Sequence, residues 1–114
     1  MTEEFLYSLI NMPETYIGEA PISIDNCQWI RSTAGSSNVY FTKTNYDKPT
    51  FSIYVRRENN EQGAQLIQEI FKRIRNYSGA GNALLATRTP AFVGKDEKHR
   101  SVYVCQFEYQ TSNY

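Results

Sequence analysis

Residues 60–77 read NEQGAQLIQEIFKRIRNY, and this stretch decides the fold. Its apolar residues recur at spacings of three and four, which places them on one stripe of a helix: Ala64, Ile67, Ile70, Phe71, Ile74 and Tyr77. Asn59 can cap the first turn, and Glu61 suits the positive end of the helix dipole. Gly79 and Gly81 then end the helix. The stretch therefore predicts an amphipathic helix, Asn60–Tyr77, packed on a sheet.

Strand-like sequence lies on both sides of this helix. In Thr50–Arg57 apolar side chains alternate with polar ones, which is the period of a strand with one buried face. The same alternation marks the last strand, which we expect to run through Tyr109 with its aromatic face toward the helix or a partner. Weaker extended stretches are Cys27–Thr33, Val39–Thr44 and Asn82–Thr89. Val39–Thr44 is expected to pair with Thr50–Arg57 as a hairpin.

Prolines and glycines mark the remaining boundaries. Thr2–Asn11 has an apolar face and an acidic first turn, so it predicts a short opening helix that Pro13 stops. Glu14–Asn26 shows no sustained period and is expected to be an irregular connection or a short extended piece without a functional role. Pro90 ends or bends the strand that begins at Asn82.

The order of these elements predicts the fold class. A chain of 114 residues has the length of one domain, and we expect residues 1–114 to share one core. The elements follow as a helix, three strands, a helix and two strands. This order indicates an α+β fold in which a mainly antiparallel or mixed β-sheet carries both helices on one face.

The charge balance argues against a protein held to nucleic acid mainly by counterion release. The sequence has twelve Lys and Arg and twelve Asp and Glu, so its formal net charge is zero, whereas that mode of binding needs a strongly basic surface. A local basic surface formed by Arg56, Arg57 and Arg73 stays open, and it could line a DNA passage. The alternative is that these side chains belong to ordinary solvated faces.

Cysteine and aromatic content indicate the setting of the protein. With two cysteines, no apolar leader and no long apolar run, the sequence predicts a cytosolic protein without membrane contact. Cys27 and Cys105 are expected to be buried thiols, with a disulfide between them as the alternative. Nine Tyr, six Phe and one Trp suit a surface that becomes buried against another protein, or else the half-exposed faces of strands.

Candidates for catalysis or metal binding are few. His99 is the single histidine and lies in a run of charges that a solvated turn explains. The cysteines are far apart and have no histidine at ligand spacing, and no glycine loop opens a helix, so neither a metal nor a cofactor is expected. The sequence thus predicts a protein that works by contact and is not an enzyme.

The C-terminal half resembles a known family. A strand ending in Arg57, the Asn60–Tyr77 helix, a further strand, Pro90, the motif Val93-Gly94-x-Asp96-Glu97-x-x-Arg100 and a final strand follow one another. This succession, from Thr50 to Tyr109, resembles the small minor capsid or tail completion proteins of long-tailed bacteriophages, also called tail terminators.

The resemblance implies a structural subunit of the virion, assembled in the host cytoplasm. Such subunits form a ring, typically of six, on the head-proximal end of the tail tube, where they stop tube growth and join the tail to the capsid. The implied partners are further copies of the chain, the tail tube protein and a head-completion protein, with passive DNA contact in the lumen.

The motif turn has two interpretations. Gly94, Asp96, Glu97 and Arg100 could form charge-paired contacts at a subunit or tube interface. Alternatively, the turn is a solvated tip stabilised internally by a contact between Arg100 and Asp96.

Two other functions stay open at this point. One is a head-closure or head-tail adaptor protein of the phage neck, which would meet the portal side. The other is a small hydrolase in which His99 works with Asp96 or Glu97.

Overall fold

A computed structural model describes residues 3–32, 50–76 and 82–111. Its two helices are α1, Glu3–Ile10, and α2, Asn60–Arg75. Its strands are β1, Thr15–Ile17, β2, Cys27–Ser32, β3, Thr50–Arg57, β4, Asn82–Lys95, and β5, Ser101–Thr111. The predictions for Val39–Thr44, for its hairpin with β3 and for Gly79 and Gly81 lie outside the described residues.

The strands form one mixed sheet in the order β1-β2-β3-β5-β4. β1 runs parallel to β2, and the other neighbouring strands are antiparallel. α2 packs on β3, β4 and β5, while α1 packs on β1, β2 and α2. Both helices therefore cover the same face, as the sequence predicts, and the fold is α+β.

α2 follows the predicted amphipathic pattern, but it ends at Arg75 with Asn76 as its C-cap, before the predicted end at Tyr77, which lies outside the described residues. The side chain of Asn59 accepts a hydrogen bond from the backbone N–H of Gln62 at 3.0 Å, which satisfies one of the unpaired amides of the first turn. The buried stripe consists of Gly63, Ile67, Ile70, Phe71 and Ile74. Gly63 belongs to it because a β-carbon there would come within 3.1 Å of the Tyr103 ring.

The core lies between α2 and the alternate residues of the sheet. β3 contributes Phe51, Ile53 and Val55, and their register partners on β5 are Phe107, Cys105 and Tyr103. Phe71 of α2 packs on Phe107 with ring centroids 5.3 Å apart. The aromatic residues of β5 described in this core thus face the helix, one of the two directions that the sequence left open.

The connection after α1 contains the short strand β1, so the extended alternative for that segment is confirmed. The side chain of Gln28 on β2 holds β1 in place. Its Nε2 donates to the carbonyl of Pro13 and to the hydroxyl of Thr15, each at 2.7 Å. The backbone N–H of Gly18 donates to the carbonyl of Ile30 at 2.8 Å, just beyond the strand.

Pro90 does not end its strand. β4 continues to Lys95, and its register with β5 shifts between Arg88 and Ala91, on either side of the proline. Within the described sheet β4 is an edge strand bonded to β5 alone, and Pro90 falls in one of its register shifts, so both features of its position tolerate a proline. The prediction of a bend was compatible with this geometry, and the prediction of an end was wrong.

The two cysteines are buried, free thiols. Cys105 is in register with Ile53 on the helix-covered face, whereas Cys27 is in register with Arg56 on the other face. Opposite sides of a sheet do not permit a disulfide, so the expectation of buried thiols is confirmed. Among the described helices none is long and apolar enough to cross a membrane.

Candidate functional site

The hairpin turn between β4 and β5 is closed by the carboxylate of Asp96. Its Oδ1 accepts the backbone N–H groups of Lys98 and Arg100 at 3.0 and 2.9 Å, and its Oδ2 accepts Arg100 Nε at 2.8 Å. His99 adopts a left-handed backbone with φ of 64° and donates its N–H to the carbonyl of Asp96. The sequence-based alternative of an internal contact between Arg100 and Asp96 is therefore present.

Arg100 also joins this turn to the segment before β2. The residue is 2% exposed, and its Nη1 donates to the carbonyls of Ile22 and Ile24 at 2.9 and 3.2 Å. It further contacts Asp25 Oδ1 at 3.2 Å. A buried guanidinium with these acceptors holds two loops that are more than 70 residues apart in sequence.

The pKa of Asp96 reflects these bonds. Burial alone would raise it, but hydrogen bonds from the backbone and side chain of Arg100 and from the N–H of Lys98 outweigh that effect. The pKa of Asp96 therefore lies below its ordinary value, which keeps the turn's carboxylate ionised.

Arg56 is buried, with 6% exposure, on the sheet face opposite the helices. Its Nη2 donates to the carbonyls of Pro21 and Ile24, both at 2.6 Å, and its guanidinium lies 5.4 Å from the Trp29 ring. The carbonyl of Ile24 thus accepts from Arg56 and Arg100 together. The carbonyls that accept from both arginines therefore lie in the connection Glu14–Asn26, for which the sequence predicts no functional role.

Arg57 and Arg73 lie elsewhere. Arg57 donates to the carbonyl of Cys27 and to Gln28 Oε1, each at 2.7 Å, and burial lowers its pKa. Arg73 donates to the carbonyl of Ile10 at the end of α1 and to Glu69 at 3.1 Å. The three arginines named from the sequence are engaged in separate internal contacts, and a role for them in a basic surface stays a prediction.

The remaining residues of the hairpin turn are exposed to solvent. Glu97, Lys98 and His99 are exposed at its tip. Gly94 has a φ of 139°, a conformation that side-chain-bearing residues rarely adopt. In the described parts of the chain no group of His, Cys, Asp and Glu is arranged to hold a metal ion.

The sheet face without helices, here called the helix-free face, carries side chains in cross-strand rows. The aromatic row follows the register Tyr16, Trp29, Tyr54, Val104 and Ala91 across all five strands. The rings of Trp29 and Tyr54 stack 5.1 Å apart, with planes 8° from parallel. Both are only half-buried, so this row presents aromatic surface to an exterior contact.

A polar row lies beside the aromatic row. Its register is Arg31, Ser52, Gln106 and Arg88 across four strands. Gln106 donates to the hydroxyl of Ser52 at 3.0 Å, and the exposed arginines stand at the two ends. The alternation within a strand predicts which face of the sheet each side chain lies on. The rows depend in addition on the register between strands, and the sequence of a single strand does not give that register.

The opposite side of the molecule carries an open groove of about 320 Å³ beside the first half of α2. It is lined by Arg57, Gln62, Gln65, Leu66 and Glu69. The lining is mostly polar, with Leu66 half-buried among amides.

Residues 6–113 of the chain match the protein family described as bacteriophage tail terminator protein. The chain belongs to that family. This tail terminator is therefore a phage structural protein and a component of the virion, and it interacts with other head or tail proteins. The match extends the resemblance of the C-terminal half over the second part of α1, all of α2 and all five strands of the described fold. No curated protein matches the chain.

Proposed function

We propose that this terminator caps the head-proximal end of the tail tube as a ring of identical subunits, stops tube polymerisation and joins the tail to the filled capsid. The observation that carries the proposal is the family match over residues 6–113. The partners are further copies of the chain, the tail tube protein and a head-completion protein. Assembly takes place in the host cytoplasm, and DNA passes through the lumen without specific contacts.

The shape of the subunit supports a ring. A cyclic ring uses heterologous contacts, in which one surface of each subunit binds a different surface of its neighbour. The sheet provides two unlike sides, since α1 and α2 cover one and half-buried aromatic residues occupy the other. A subunit with two such sides can give one face and receive another.

Within this proposal the turn acts as a rigid contact element. Asp96 and Arg100 hold it from inside, while Glu97, Lys98 and His99 remain available at its tip. A partner therefore meets Glu97 and Lys98, and Asp96 and Arg100 act through the shape of the turn.

The protein works without covalent chemistry in this proposal. Both oxygens of Asp96 are used by the turn itself, and His99 stands exposed on its tip. Deprotonating a substrate needs a base aligned with a second group in a protected site, and the turn offers neither. A His99→Ala variant is expected to support normal assembly, and that result would exclude the hydrolase alternative.

Electron microscopy of tails made with and without the protein tests the central proposal. Without it, tails should be overlong or unable to join heads, and added wild-type protein should restore both properties. Tails of normal length that join heads in its absence would refute the proposal. Binding to purified tubes is expected, whereas binding to tail-less heads alone would identify a neck adaptor.

A further inference from the structure

We infer that the helix-free face of one copy docks on the first half of α2 of the next copy. This inference rests on the proposed ring and assigns its two contacting surfaces. The occupant of the helix-free face is thus a second copy of this chain.

The first surface is the helix-free face with its two rows. Half-buried Trp29 and Tyr54 supply stacked aromatic area, which favours burial against a partner. Arg31 and Arg88 are exposed at the ends of the polar row, and neither forms an ion pair within residues 3–32, 50–76 and 82–111. Among the described residues, therefore, the surface is aromatic and carries two arginines without an ion pair.

The second surface is the first half of α2 with its lead-in, and it carries more acids than bases. From Glu58 to Phe71 the sequence contains three acids, Glu58, Glu61 and Glu69, and no Lys or Arg. All three acids are exposed, and Glu69 lines the groove of about 320 Å³ together with Gln62, Gln65, Leu66 and the half-buried Arg57. Its glutamines can bond a tyrosine hydroxyl, while Leu66 offers an apolar contact for a ring.

The spacing of the charges agrees between the two surfaces. Arg31 and Arg88 are three strand separations apart, or about 14 Å. Glu61 and Glu69 are eight helical residues apart, or about 12 Å along the axis. A helix laid across the strands therefore brings each arginine near an acid, although Glu69 also contacts Arg73 of its own helix.

The edges of the described sheet are poor alternatives for this contact. β1 has three residues, which limits any ladder formed on it. β4 is longer, but Arg88, Pro90 and its register shifts disrupt the flat edge that strand addition needs. We therefore place the contact between the helix-free face and the helix-covered side and not at a sheet edge.

A cross-linking experiment in assembled tails tests the inference. Arg88→Cys and Glu61→Cys are combined in one chain, which then assembles into tails before treatment with a short bismaleimide. The two positions lie on opposite sides of the subunit, so the linker joins neighbouring copies and yields a ladder from dimers upward. Cys27 and Cys105 are fully buried and contribute no background. Single-cysteine variants and the pair Arg88→Cys with Glu4→Cys are the controls.

The outcomes separate this inference from the proposed function. Tails of normal length without a ladder would overturn the docking geometry and leave the terminator role intact. Normal tails in the complete absence of the protein would instead refute the terminator role.

Charge exchange provides a second test if the cysteine pair does not support assembly. Arg88→Glu or Glu61→Arg alone should reduce ring formation on tubes at least tenfold, and both together should restore it. Lys95→Glu, on the same strand but off the helix-free face, is the matched control and should have no effect. A double variant as defective as the worse single variant would overturn the inference.

Discussion

Replacing Arg100 by Met should destabilise the protein more than any change at the exposed tip of the same turn. Arg100 is almost fully buried and bonds Asp96, the carbonyls of Ile22 and Ile24, and Asp25. Methionine keeps an unbranched stem of similar reach but donates no hydrogen bond. The substitution thus isolates the polar contacts.

The loss of stability in Arg100→Met depends on which hydrogen-bond partners each acceptor keeps. Asp96 keeps two backbone donors, and the carbonyl of Ile24 keeps Arg56, so neither is stranded. A hydrogen bond to a charged group contributes about 1.5–3 kcal/mol, and removing one member of a buried pair costs about 3–5 kcal/mol. Because Asp25 and Asp96 are partly exposed, we expect about 3 kcal/mol, near the lower end.

Urea unfolding followed by the fluorescence of Trp29, the single tryptophan, measures this loss. The midpoint should fall with little change in the slope m. Lys98→Met is the matched control, because Lys98 is exposed and only its backbone N–H takes part in the turn, so its effect should stay within about 0.5 kcal/mol. A loss below about 1 kcal/mol for Arg100→Met would refute the view that Arg100 fixes the two loops.

Three further predictions concern the core and the turn. Gly63→Ala should destabilise the protein by about 1 kcal/mol in urea unfolding, because crowding against Tyr103 outweighs the usual helix gain; equal or higher stability would contradict the tight contact. The stability that Asp96 contributes should be fully present above its unfolded pKa of 3.8 and decline as the pH falls through its lower folded value, and Asp96→Asn should remove that part of the acid dependence. Cys105, whose pKa burial raises to about 12, and buried Cys27 should react with a thiol reagent only on unfolding; rapid reaction in the native state would contradict their burial.

The sequence predicts those parts of the fold that local periodicity encodes. The stripe of α2, its cap at Asn59 and the alternation of β3 are visible in the sequence and confirmed in the structure. The contact between Arg100 and Asp96 was also an available interpretation, since the residues lie in one short turn. In each case the interacting groups are close in sequence.

The remaining features depend on distant partners. The bonds from Arg56 and Arg100 to residues 21–25 join backbone carbonyls, which every residue possesses, so composition gives no sign of them. For Pro90 the sequence left two alternatives open, an end or a bend of the strand, because the effect of a proline depends on whether its strand lies at an edge. The aromatic row required the register of four strand pairs, and no single strand contains it.

These long-range bonds bear on how the subunit could contact its partners. The turn, the segment before β2 and the start of α2 are held at one end of the sheet, where Glu58 also donates its N–H to Asn26 and Tyr103 donates its hydroxyl to Asn60. Loops fixed before association lose little conformational entropy when they bind. If this end meets the tube or the head, its internal arginines therefore increase affinity without touching the partner. Glu97→Ala then reports on the contact itself, whereas Arg100→Met reports on the preorganisation that precedes it.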